Sequence, residues 1–139
     1  MEDFFEDIEY QSGFKYQVTK TCSVKTAIVG YDVDTDYYSL SKEGLLTAKK
    51  GYSWDGASGC PDFRCIMRGS LFHDVLYQMM RLKQLPRHYR KDADNLLRNI
   101  CIEDGMCEWF ANYIVYFFVR KFGKKATHPN NKRKIYTAP

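Results

Sequence analysis

The sequence predicts an α+β fold, an N-terminal antiparallel β-sheet followed by three helices, of which the first two form an antiparallel hairpin. Three observations carry this expectation. Residues 14–52 are rich in Tyr, Val, Thr and Ile and alternate apolar with polar positions, as half-buried strands do. From residue 68 onward the apolar residues recur at helical spacing instead. Between the two lies a stretch with three glycines and a proline, Gly51–Pro61, too broken for a helix and too poor in β formers for a strand.

The elements follow in order. Tyr16-Gln17-Val18-Thr19 and Val24-Lys25-Thr26-Ala27-Ile28 alternate as strands. Gly30 with the Asp32–Asp36 cluster marks one turn. Lys42-Glu43-Gly44 marks another, between Tyr37–Leu40 and Leu45–Ala48, for about three to five short strands in all. A first helix over about 68–82 carries Phe72, Val75, Leu76 and Met79 on one stripe and stops before Pro86. A second, about 87–104, lines up Ala93, Leu96, Leu97 and Ile100, with Gly105 as its terminator. The third, about 106–122, is apolar on most sides through Trp109, Phe110, Ile114, Phe117, Phe118 and Val119. Such a helix is expected in the core; the alternative is a membrane interface, which Arg120-Lys121 and Lys124-Lys125 would suit.

With 139 residues and 45% hydrophobic side chains, the chain has material for one core, so a single domain over 1–123 and a basic flexible tail over 124–139 are expected. Glu2, Asp3, Glu6, Asp7 and Glu9 make the start acidic, and the end is basic. The two readings are solvated termini that attract each other, or a basic end that touches nucleic acid or an anionic membrane. No secretory signal opens the chain, and no stretch reaches the roughly 20 apolar residues of a membrane span. Synthesis in the cytosol is the expectation. The five cysteines are odd in number and show no C-x-x-C spacing, which favours reduced, mostly buried thiols over a zinc site.

The chemistry-bearing residues lie on the first two helices. His73 and Asp94 stand at similar distances on either side of the break near Gln84-Leu85, so an antiparallel hairpin brings them level. Tyr77 follows His73 by one turn on the same face, where its hydroxyl can reach the same aspartate. A histidine held in one tautomer by a buried carboxylate can serve as a general base on water. Asp74 points toward the rim, where a carboxylate beside a glycine-rich loop suits a hard cation, calcium being the natural choice. Its other ligands would be backbone carbonyls of the loop, with Asp55, Gly56, Ser58 and Gly59 as candidates. The alternative is that His73 and Asp94 are a satisfied core pair and that Asp55-Gly56-Ala57-Ser58 is a turn closed by an Asx bond.

The ordered set Gly51-Tyr52-Ser53-Trp54-Asp55-Gly56-Ala57-Ser58, Pro61, His73-Asp74-Val75-Leu76-Tyr77, Arg90 and Ala93-Asp94 resembles the phage and prophage family called domain of unknown function 1353. The likeness runs from Leu45 to Gly123 and includes the ending Arg120-Lys121-Phe122-Gly123. Gly59-Cys60 lengthens the family's usual loop by one residue. This resemblance implies a viral origin, with a location in the virion or the host cytoplasm, and no established activity. More distantly, the segment is similar to phospholipase A2 enzymes, whose H-D-x-x-Y helix follows a glycine-rich calcium loop and whose next helix supplies an aspartate. Gly56 and Gly59 precede His73 by 17 and 14 residues, a comparable spacing. That likeness implies that His73 activates water, that Asp94 and Tyr77 hold it, and that calcium on Asp74 and the loop polarises an ester carbonyl. The chain departs from the enzymes in having no cysteine beside His73, no evident disulfide framework, and a β-rich half ahead of the loop.

Two functional expectations follow, from different classes. One is a phage-encoded, calcium-assisted hydrolase acting on lipid or another envelope ester. The other is a non-enzymatic virion or infection-accessory protein, partnered by other virion proteins, in which His73 and Asp94 are structural. A phosphohydrolase of the HD type is excluded because it needs a histidine upstream of the His-Asp pair, and His73 is the first histidine in the chain. Nucleic-acid binding is not expected, since no recognised motif accompanies the basic end. The sequence leaves the oligomeric state open.

Overall fold

The computed structural model describes residues 9–11, 16–57 and 63–129. Antiparallel β-sheet precedes three helices, as an α+β fold. The chain resolves into two compact units, the first built on residues 1–56 and the second on 57–133.

The first unit holds two antiparallel sheets. One joins β1 (Glu9–Gln11), β2 (Tyr16–Lys20) and β7 (Ser53–Trp54) in that order. The other runs β3 (Cys22–Lys25), β6 (Leu45–Ala48), β5 (Tyr38–Leu40), β4 (Val33–Asp34). Alternation sets the faces. Tyr38, Leu40, Leu46 and Ala48 are buried, while Ser39 and Thr47 point the other way. On that outer face Ser23 and Thr47 share a hydroxyl hydrogen bond of 2.8 Å. The expected Lys42–Gly44 turn closes the β5–β6 hairpin with Gly44 at φ +97°, where an added Cβ would come 2.5 Å from the Thr26 carbonyl oxygen. Both the left-handed backbone and the close approach require glycine there.

Three expectations for this unit need correction. Among the described residues there are seven strands in two sheets, where three to five in one sheet were expected. The extra strands are too short to show a period. Val33–Asp34 lies inside the acidic cluster read as a turn, and Ser53–Trp54, inside the stretch read as a loop, pairs with Gln17 and Tyr16 of β2. The strand expected to reach Ile28 ends at Lys25, because the Thr26 hydroxyl accepts from the Ile28 amide and donates to the Gly44 carbonyl, turning the chain.

In the second unit, α1 (Arg64–Arg81) and α2 (Arg90–Glu103) run antiparallel, the latter preceded by a 3-10 turn at Arg87–Tyr89. The hairpin register is explicit: buried Arg68 near the start of α1 bonds Asp104 and Glu103 at the end of α2, and His73, further along, meets Asp94. Burial alone would weaken the Arg68 charge, but the two carboxylates outweigh it and raise the guanidinium's pKa. Gly69 lets the helices approach, for an added Cβ would lie 3.0 Å from Leu97 Cδ1 and 3.2 Å from both the Leu97 carbonyl and Cys101 Sγ. The sequence places the α1 start at residue 68, whereas it lies at Arg64, so that Ile66 and Met67, both buried, belong to the helix.

Gly105 terminates α2 as expected, at φ +106°, with Met106 N–H reaching back to Cys101 O and Gly105 N–H to Ile102 O. α1 ends on the same bond pattern, Gln84 to Met79 and Lys83 to Met80, but its left-handed residue is Lys83, at φ +62°.

The third helix comprises α3 (Glu108–Phe110), a π-helical segment (Ala111–Tyr116) and α4 (Phe117–Phe122), with right-handed helical dihedrals at the junctions. It is not the core helix that its composition suggests. Only Ala111 and Val115 are buried along it, against Ile66, Leu97, Cys101 and Met106, while Trp109, Tyr113, Ile114, Phe117 and Phe122 are exposed. Residues 124–129, assigned from sequence to the basic tail, are folded: Lys124–Thr127 make a 3-10 turn, Thr127 is buried, and Arg81 bonds the Ala126 carbonyl. The rest of the tail lies outside the described residues. Of the cysteines, Cys22 and Cys101 are buried, Cys65 is half-buried, Cys107 is exposed, and Cys60 lies outside the described residues. No described helix is long and apolar enough to cross a membrane.

Candidate functional site

The site is built on the middle of the α1–α2 hairpin. The stripe Phe72, Val75, Leu76 and Met79 turns α1 inward, and Ala93, Leu97 and Ile100 turn α2 to meet it. That packing leaves His73 and Tyr77 on the flank of α1 that faces Asp94. The Asp94 side chain is 0% exposed. A carboxylate so buried needs its lone pairs filled, and here they are.

Oδ1 of Asp94 accepts from His73 Nε2 at 2.7 Å and from the Tyr77 hydroxyl at 2.5 Å. Oδ2 accepts from Arg120 Nη1 at 2.8 Å, with Arg90 Nη1 at 3.6 Å one helical turn before it. Burial would push the Asp94 carboxyl up, but the bond and charge of His73, then the bonds from Tyr77 and Arg120, prevail and hold it below the ordinary carboxylate range. Burial, and next the Asp94 charge, push the Tyr77 phenol far above its ordinary range, so Tyr77 stays a neutral donor. Because Asp94 only accepts, Nε2 of His73 carries the proton in the neutral ring, and Nδ1 carries the basic lone pair. The Tyr77 ring lies 4.0 Å from the imidazole centroid to centroid, which fixes the ring plane. The His73 side chain keeps 12% of its exposure, enough for water to reach an edge of the ring.

Three residues outside the expected set complete the centre. Arg120 comes from α4, and Arg90 donates to the Val119 and Arg120 carbonyls at 3.0 and 3.2 Å, tying the end of that helix to α2. Gly123 sits against Tyr77, where an added Cβ would come 2.5 Å from the hydroxyl oxygen. Arg90 was legible as the i, i+4 partner of Asp94. Arg120 and Gly123 carried no local signal for this contact.

The structure thus brings His73, Tyr77 and Asp94 together. Asp74 is half-buried on the next position of α1. Asp55 and Gly56 belong to the first unit and Asp74 to the second, and Ser58 and Gly59 lie outside the described residues. Among the described residues no group of three or more His, Cys, Asp or Glu side chains could hold a metal ion. No family model, no curated protein and no solved structure matches the chain.

Proposed function

We propose that this is a phage-encoded hydrolase whose general base is His73, acting on lipid or another envelope ester. The observation that carries the reading is the 2.7 Å bond from Nε2 to a fully buried carboxylate, which leaves Nδ1 as the basic nitrogen. In the proposed reaction Nδ1 takes a proton from water as its oxygen attacks the ester carbonyl. The imidazolium so formed is stabilised by Asp94 and returns the proton to the departing alkoxide. Tyr77 holds both partners in place. Arg90 and Arg120 bring two cationic groups to one carboxylate, a balance that favours an anionic ester over a neutral one. A calcium ion, as the phospholipase A2 resemblance implies, would act as a Lewis acid on the carbonyl, with Asp74 among its holders.

A second reading has its own support. Asp94 accepts from α1 and α4 while itself on α2, so the same residues brace three helices. The deciding experiment measures hydrolysis of phospholipid vesicles and short-chain esters, with and without calcium, by wild type and His73→Gln. Turnover that drops about 100-fold or more in a variant that still melts cooperatively supports the base. Absence of turnover in wild type, or equal turnover in the variant, leaves the brace.

Calcium is tested separately by calorimetry. Binding to wild type that vanishes in Asp74→Asn, which removes the charge and keeps the shape, is the expected result. Heat that is unchanged in the variant would remove Asp74 from the site.

A further inference from the structure

The third helix is inside out. Ring side chains are ordinarily what a helix buries, yet here the small Ala111 and Val115 face inward and the rings face solvent. Trp109, Tyr113 and Phe117 are 61%, 66% and 56% exposed. Of the eight exposed large hydrophobic residues among those described, five lie on this helix, and Phe63 touches it through Phe110 at 6.0 Å between ring centroids. Exposed rings grouped on one helix mark a surface that is covered in use.

The backbone contributes to the alignment. On an α-helix a row at i, i+4, i+8 drifts by about 40° around the axis every four residues. The π-helical segment Ala111–Tyr116 sits within the Trp109–Tyr113–Phe117 row, and its wider turns act against that drift. Trp109 and Tyr113 stand 6.4 Å apart. At the C-terminal end of the row Lys121 Nζ lies 5.5 Å from the Phe117 ring and 5.9 Å from Phe122, and Lys124 and Lys125 are exposed just beyond. The only acid on the helix, Glu108, is at the opposite end.

We infer that this face docks on an anionic lipid surface, its rings entering the headgroup boundary and its lysines meeting lipid phosphates. Rings projecting from one helix with ammonium groups at one end need no fixed register on a fluid, negatively charged sheet. The inference stands apart from the hydrolytic reading, since it uses neither His73 nor Asp94.

The test uses the full chain with vesicles of phosphatidylcholine alone or mixed with phosphatidylglycerol. Co-sedimentation is read together with tryptophan emission, which reports this helix because Trp54 is 1% exposed and Trp109 is the other tryptophan. Binding selective for the anionic vesicles, weakened by salt and accompanied by a blue shift, is expected. Phe117→Ala and Tyr113→Ala should each weaken it about tenfold or more at an unchanged melting temperature. The double variant Lys121→Glu, Lys124→Glu should lose the anionic preference, and His73→Gln should bind as wild type. No sedimentation, sedimentation without the shift, or ring variants that bind normally would overturn the inference. So would a concentration-dependent dimer that the ring variants dissolve in a chain that ignores vesicles, which would assign the face to a second copy.

Discussion

Asp94 shows how one buried charge organises its surroundings. Four side chains from three helices converge on two oxygens, and losing the charge leaves the two guanidiniums facing a neutral group. Asp94→Asn should therefore lower stability by about 3 kcal/mol in denaturant titration. Lys83 is the opposite case, a residue held against its own preference. At φ +62° it occupies the place in α1 that Gly105 occupies in α2, and its Cβ strains that backbone. Lys83→Gly should raise stability by roughly 1 kcal/mol, seen as a higher denaturant midpoint with an unchanged slope. The Lys83 strain was invisible in sequence because lysine normally signals nothing about a helix end except charge. His73 and Tyr77 were legible because four-residue spacing puts two side chains on one face whatever the fold does next.

At the scale of elements, the α1–α2 seam depends on a missing side chain. The Leu97 carbonyl lies 3.2 Å from where a Cβ on Gly69 would sit, and backbone cannot swing aside as a side chain can. Gly69→Val should spread the seam and destabilise by about 1–3 kcal/mol in thermal or chemical unfolding. Activity, if the base is His73, should fall with it, because the same seam sets the 2.7 Å bond. The hairpin could be read from the sequence through its stripes and the break near Gln84-Leu85. The close approach at Gly69 could not, since Gly69 interrupts no pattern. The two-residue strands Val33–Asp34 and Ser53–Trp54 escaped for a related reason: a period of two cannot be seen in two residues.

For the molecule as a whole, the Asp94 carboxyl links stability to pH. Its pKa in the folded chain is below the unfolded value near 3.9, so its contribution is complete above about pH 4 and is lost as pH falls through the lower, folded value. The melting temperature of wild type should fall on acidification through that window. Asp94→Asn, less stable at neutral pH, should show a shallower decline, so the gap between the two proteins narrows with acid. Parallel curves would mean that Asp94 is not the group responsible. By itself the sequence determined the α+β order, the β5–β6 hairpin, the paired helices and the meeting of His73, Tyr77 and Asp94, since each follows from spacing along neighbouring stretches of chain. Only the tertiary structure decided that Arg120 and Gly123 join that centre from a distant helix, and that the most apolar helix turns its rings outward. Composition counts apolar residues, but the facing surface decides which of them are covered, and against Ile66, Leu97, Cys101 and Met106 the helix buries Ala111 and Val115.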